Sequence, residues 1–345
     1  MDAKDASKLE STAREMVAPK KGILAADESH GTITKRFDAV GIESTEDNRR
    51  AYREMLFTAE NIGEYLSGVI MFDETIRQKA SDGRPFAKLL DDQGIIPGIK
   101  VDGGAKDMAL SPGEKITEGL DGLRERLAEY VEMGARFTKW RAVITIDEGI
   151  PTQRCIDANA HTLARYAALV QEAGMVPIVE PEVLIDGTHS IDACYDATLN
   201  TLHSTFDEIY KQNVEPRGII LKPNMVISGK DAQNRADVDT VARYTIEALL
   251  RTVPAAVPGI AFLSGGQSDR EATAHLNSMN RQFGGQLPWE VTFSYARALQ
   301  DLPMRTWKGD DSNVSEAQRI FLHRAKMNSL AHAGEYSESL EESAA

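Results

Sequence analysis

The chain has 345 residues, 42% of them hydrophobic, which is enough to bury a large core. Its formal net charge of −14 argues against nucleic acid or an anionic membrane as main partner. It also makes any local gathering of Lys and Arg informative, because the background field opposes an anionic ligand. No apolar run reaches the length of a membrane span, and the opening MDAKDASKLESTAREM lacks the apolar core of a secretory signal. Cys155 and Cys194 are too few for a disulfide framework and read as small buried hydrophobes, so a cytoplasmic protein is expected.

In chain order, short apolar segments alternate with longer amphipathic ones. KGILAAD (21–27) reads as a strand and is followed by the basic segment SHGTITKRF, which carries Lys35 and Arg36. GVIMF (68–72) and IIPGIKV (95–101) read as the next two strands. GLDGLRERLAEYVEMG (119–134) is apolar at Leu120, Leu123, Leu127 and Val131, the spacing of one helix face, with Gly134 placed to end it. RFTKWRAVI (136–144) is a fourth strand, and DANAHTLARYAALVQEAG (157–174) a helix closed by Gly174. MVPIVEPEV (175–183) and RGIILKPNM (217–225) read as strands, and DVDTVARYTIEALLRTV (237–253) as a helix. IAFLSGG (260–266) and EVTFSYAR (290–297) complete the series. Eight strands separated by helices predict an α/β fold, a parallel eight-stranded (β/α)₈ TIM barrel in a single domain over residues 1–333. A doubly wound sheet is disfavoured, because no glycine-rich phosphate fingerprint follows the first strand. GEYSESLEESAA (334–345) is small, polar and acidic, and is expected to be a mobile tail.

In such barrels the chemistry sits at the carboxyl ends of the strands, where every second side chain looks inward. Asp27 is in phase with Ile23 and Ala25, and Lys100 with Gly98. Lys139 and Arg141 share a face, as do Glu180 and Glu182 with Val176 and Ile178. Lys222 follows Gly218 and Ile220, and the last two strands deliver Ser264, Ser294 and Arg297. One polar strand end means little; this many converging ones make a site. A lysine at the end of the apolar run IIL, taken alone, reads as a strand-mouth lysine that snorkels to water or pairs with a carboxylate. Among these converging groups its lost hydration favours the neutral amine that attacks carbonyl carbons. Ser264, Gly265 and Gly266 offer backbone N–H groups to an anion, and the fork of Arg297 suits a phosphate. Lys35 and Arg36 form a second basic group that spacing alone reads as a solvated helix face; if it holds an anion instead, a substrate with a phosphate at each end would fit. The seven histidines show no HxH or HExxH spacing, so no metal and no other cofactor is expected. A lysine iminium then serves as electron sink.

GILAADES (22–29), TEDNRRAYR (45–53), KWR (139–141), IVEPE (178–182), ILKPNM (220–225), FLSGGQS (262–268) and TFSYARALQ (292–300) strongly resemble class I fructose-1,6-bisphosphate aldolase. The match runs from about residue 8 to 334. The resemblance implies a metal-free (β/α)₈ lyase that reversibly cleaves fructose 1,6-bisphosphate to dihydroxyacetone phosphate and glyceraldehyde 3-phosphate, commonly as a homotetramer. It implies Lys222 as Schiff-base lysine, Glu180 as acid/base, and Asp27, Lys139, Arg141 and Lys100 as further active-site residues. Ser264, Gly265, Gly266, Ser294 and Arg297 match one phosphate-binding surface, and Arg36 a basic residue near the other end. Either Glu180 or Asp27 could take the C4 hydroxyl proton. A Schiff-base aldolase or transaldolase-like enzyme for another ketose phosphate is the alternative, and a silent scaffold is disfavoured by the charged set itself. Thr32 stands where many relatives have serine, and Ala296 where the family has glycine. The chain ends in Ala345 instead of the tyrosine of animal enzymes, with Tyr336 the only aromatic of the tail.

Overall fold

The computed structural model describes residues 3–342. Its strands are Gly22–Ala26, Leu66–Met71, Ile96–Lys100, Phe137–Ile144, Val176–Val183, Ile220–Leu221, Gly259–Phe262 and Glu290–Tyr295. Each pairs in parallel with the next, and the eighth closes on the first, giving the expected eight-stranded barrel. No helix among the described residues is long and apolar enough to cross a membrane.

Two apolar layers hold the barrel. Ile23, Ala25, Ile70, Ile96, Phe137, Val176, Ile178, Ile220 and Ala261 fill the lumen. Leu9, Ala13, Met16 and Val17, on and just after the helix Ala3–Met16, join that cluster and cap the amino-terminal mouth. The alternate strand residues, such as Leu24, Val69, Ile99, Trp140, Val179 and Leu221, face the surrounding helices. Gly98 makes room for the lumen ring of Phe137: a Cβ there would lie 2.2 Å from its Cζ. With one mouth plugged by apolar side chains, the opposite mouth is left for polar ones.

Several details differ from the sequence reading. The sixth strand is only two residues long, because Pro216–Gly218 turns as a 3₁₀ segment and Pro223 has no N–H to donate. Lys222 nonetheless stays on the ladder, its N–H donating to the Val179 carbonyl at 2.8 Å. The helix expected over 119–134 runs Leu123–Glu132 and buries Tyr130, while Val131 is exposed. A hairpin of Ala105–Asp107 and Lys115–Thr117 has no counterpart in the sequence reading. Its three-residue strands, AKD and KIT, are too short and too polar to give a period to detect.

The segment read as a tail lies against the helices Asp269–Phe283 and Val314–His332 as far as it is described. Tyr336 is buried, and its N–H donates to Asn277 Oδ1 at 2.9 Å. Glu341, in the short helix Ser339–Glu342, accepts from Arg324 and from the Tyr336 hydroxyl. Residues 343–345 of the expected tail lie outside the described residues.

Candidate active site

The lumen pattern carries straight on into the site. Ile23 and Ala25 set the phase that aims Asp27 inward, and Phe137 does so for Lys139 and Arg141. Val176 and Ile178 do it for Glu180 and Glu182, and Ile220 for Lys222. At the carboxyl mouth these side chains meet Lys100, Arg36, Ser264, Gly265, Ser294 and Arg297 in one cleft. Gly266 sits behind the lining, where a Cβ would lie 3.5 Å from Arg297 Nη2. A larger, mostly apolar hollow of ≈ 620 Å³ beside Phe206, Ile209, Tyr210 and Pro254 has one charged lining residue, Glu215, and no cation.

Four buried side chains form an alternating row of charge. Asp27 Oδ2 is 2.7 Å from Lys139 Nζ, which is 3.3 Å from Glu180 Oε2. Glu180 Oε1 is 3.2 Å from Lys222 Nζ. Each is at most 9% exposed, so each would be costly without its partner. Burial alone would raise the Asp27 carboxyl, but Lys139, Lys222 and Lys100 hold it well below the usual range. Burial alone would lower the Lys139 ammonium, but Asp27, Glu180 and Asp102 push it up. Asp27 is therefore a carboxylate and Lys139 a cation at neutral pH. Glu180 Oε2 makes no hydrogen bond, although Lys139 Nζ lies 3.3 Å away, and so keeps a lone pair for an incoming hydroxyl.

One end of the cleft is built for an anion. Gly265 and Gly266 take φ values of +50° and +84°, which favour glycine, and a Cβ on Gly265 would strike Leu263 Cδ1 at 2.8 Å. The buried Ser294 hydroxyl has no partner. The Arg297 guanidinium forms no ion pair or hydrogen bond with any described residue. A free guanidinium over a glycine turn, flanked by an unpartnered hydroxyl, suits phosphate. Ala296, where the family has glycine, has φ −102°, so an alanine fits there.

The other cations are tied to carboxylates that the sequence reading did not assign. Arg36 bonds Glu28, which also accepts from Arg53 Nη2 at 2.6 Å and Gln300 Nε2 at 3.0 Å. Burial would raise Glu28, but Arg53 and Arg36 lower it, so this carboxylate holds Arg36 beside the cleft. Lys100 Nζ is 2.7 Å from Asp102 Oδ1, and Arg141 bonds Glu182. The signals were present but weak: Glu28 follows Asp27, and Asp102 stands two residues past Lys100 in the same strand phase. Among the described residues no group of three His, Cys, Asp or Glu is placed to hold a metal.

Comparison with known proteins identifies the family and the fold. Residues 8–345 match the family model described as fructose-bisphosphate aldolase class-I. The chain is 58% identical, over 95% of its length and 98% of the relative's, to a probable fructose-bisphosphate aldolase class 1 of Xanthomonas campestris pv. campestris. It is 49% identical, over 96% and 93%, to the cytoplasmic isozyme of fructose-bisphosphate aldolase from Spinacia oleracea. A solved fructose-bisphosphate aldolase from Plasmodium falciparum, crystallised with TRAP and a small-molecule inhibitor, superposes with a TM-score of 0.96. That pair shares 47% identity over 98% of this chain and 97% of the other.

Proposed function

The chain belongs to the class I fructose-bisphosphate aldolase family, and on that premise we propose which residues carry its reaction. The reaction is the reversible cleavage of fructose 1,6-bisphosphate to dihydroxyacetone phosphate and glyceraldehyde 3-phosphate through a lysine Schiff base. The observation that carries the assignment is the buried row Lys222, Glu180, Lys139, Asp27.

Lys222 gives a proton to Glu180 and attacks the C2 carbonyl. The proton of the attached nitrogen passes to the C2 oxygen, forming a carbinolamine. Glu180 returns its own proton to that hydroxyl, water leaves, and the iminium forms. As the C3–C4 bond breaks, its electron pair flows to the iminium, and the C4 hydroxyl gives its proton to a base. Asp27 is engaged by Lys139 Nζ at 2.7 Å, whereas Glu180 Oε2 has no hydrogen-bond partner, which favours Glu180 as that base. The aldehyde departs, Glu180 protonates the enamine at C3, and hydrolysis frees dihydroxyacetone phosphate and Lys222. Lys139 keeps its charge throughout and steadies the developing oxygen charge near Glu180.

Ser264, Gly265, Gly266, Ser294 and Arg297 receive one phosphate, and Arg36, with Lys100 and Arg141 nearby, serves the other. Arg297→Ala is expected to raise KM for fructose 1,6-bisphosphate about 10- to 100-fold with little change in kcat. An unchanged KM in steady-state assays would remove Arg297 from the phosphate surface. Borohydride trapping with dihydroxyacetone phosphate, followed by peptide mass mapping, is expected to place a stable adduct on Lys222. An active enzyme without that adduct overturns the assignment. We take the protein to be cytoplasmic and a homo-oligomer, a tetramer by resemblance, to be checked by sedimentation.

A further inference from the structure

The glycine turn is held from below by a side chain with no part in the chemistry above. Gln267 donates twice to the Ser264 carbonyl, from its backbone N–H and from Nε2, each at 3.0 Å. Nε2 also lies 3.6 Å from Met225 Sδ, three residues past Lys222. Gln267 Oε1 is 2.6 Å from His275 Nδ1, on the helix Asp269–Phe283. Gln267 and His275 are 8% and 2% exposed. The direction of the amide follows from its neighbours. Ser264 O and Met225 Sδ only accept, so the nitrogen faces them and the oxygen faces His275. His275 must then carry its proton on Nδ1. Burial pushes its imidazolium down to about 4, with Glu271 and Arg235 acting in opposite directions, so the ring is neutral under working conditions.

We propose that Gln267, oriented by His275, is a positioning residue for the phosphate-binding turn Ser264–Gly266. The proposal rests on reading that turn, with Arg297, as a phosphate site. Two successive glycines at positive φ give this stretch more freedom than any other residues would. Fixing the Ser264 carbonyl at its start removes that freedom before substrate arrives, so binding is not weakened by ordering the turn. The Met225 contact ties the same side chain to the segment that leaves Lys222.

The test uses the full chain with Gln267→Leu, His275→Leu, His275→Asn and the Gln267/His275 double leucine variant. Measured are kcat and KM for fructose 1,6-bisphosphate, competitive inhibition by inorganic phosphate, and Tm. Gln267→Leu is expected to raise KM and the phosphate inhibition constant about tenfold, with kcat within about threefold. His275→Leu shifts both in the same direction, and the double variant is no worse than Gln267→Leu, because His275 acts only through Gln267. His275→Asn restores the wild-type constants, since its Nδ2 stands one bond from Cγ, as Nδ1 does. If Gln267→Leu does not fold, the contrast between His275→Leu and His275→Asn decides. A lowered Tm with unchanged KM and inhibition constant, or additive effects in the double variant, overturns the proposal. Arg297→Ala separates the two levels. If it leaves phosphate inhibition unchanged, the phosphate site and this inference both fall. If it weakens inhibition while Gln267→Leu does not, only this inference falls.

Discussion

Lys222→Met is expected to lower kcat by about 10,000-fold or more while the barrel stays folded. Methionine keeps most of the length and apolar packing of the buried stem and removes only the ammonium. Glu180 is not orphaned by the change, because Lys139 Nζ remains 3.3 Å from its other oxygen. Tm should therefore move by no more than a few degrees, and borohydride with dihydroxyacetone phosphate should leave no adduct. Lys222→Arg gives the complementary control: the charge beside Glu180 survives, but a guanidinium does not form the imine. If either variant kept more than a few per cent of wild-type kcat, the reaction would not pass through an imine on Lys222. If only Lys222→Met lost activity, the lysine would be serving as a charge and not as a nucleophile.

The site was legible because one physical rule spans both core and cleft. Strand residues that alternate into the lumen, Ile23, Phe137, Ile178 and Ile220, set the phase of Asp27, Lys139, Glu180 and Lys222 beyond them. Where the rule stops, so does the reading. The seventh strand ends at Phe262, and Ser264 lies beyond it and out of phase with the lumen residue Ala261, just before the two glycines at positive φ. The pairing of Glu28 with Arg36 and Arg53 joins three different segments, and no local spacing reports it. Composition suggested a loose carboxyl-terminal segment, yet it is seated by the Tyr336 N–H on Asn277 and by Glu341 on Arg324 and His323. A single buried ion pair in an acidic, small-residue stretch leaves no periodic trace. The His275–Gln267 contact is hidden for the same reason, since it links a loop to the next helix through two polar atoms.

Lys139→Met should be the most destabilising change in the cleft, and its pH dependence should show why. Removing this cation leaves Asp27 and Glu180 buried and facing each other across the space it held. Breaking a buried pair in this way costs about 3–5 kcal/mol at neutral pH. In the wild type the depressed Asp27 value means that its contribution to stability is complete above the ordinary 3.8 and is lost only as pH falls through the lower folded value. In the variant, burial still raises Asp27, with Lys222 and Lys100 left to lower it, so protonation becomes a relief instead of a loss. The stability deficit of Lys139→Met against wild type is thus greatest near about pH 7 and shrinks toward about pH 4. Urea unfolding across that range measures it directly. A deficit that stays constant with pH would mean that Lys139 contributes packing alone, and that the alternating charge row is not what holds Glu180 in place for proton transfer.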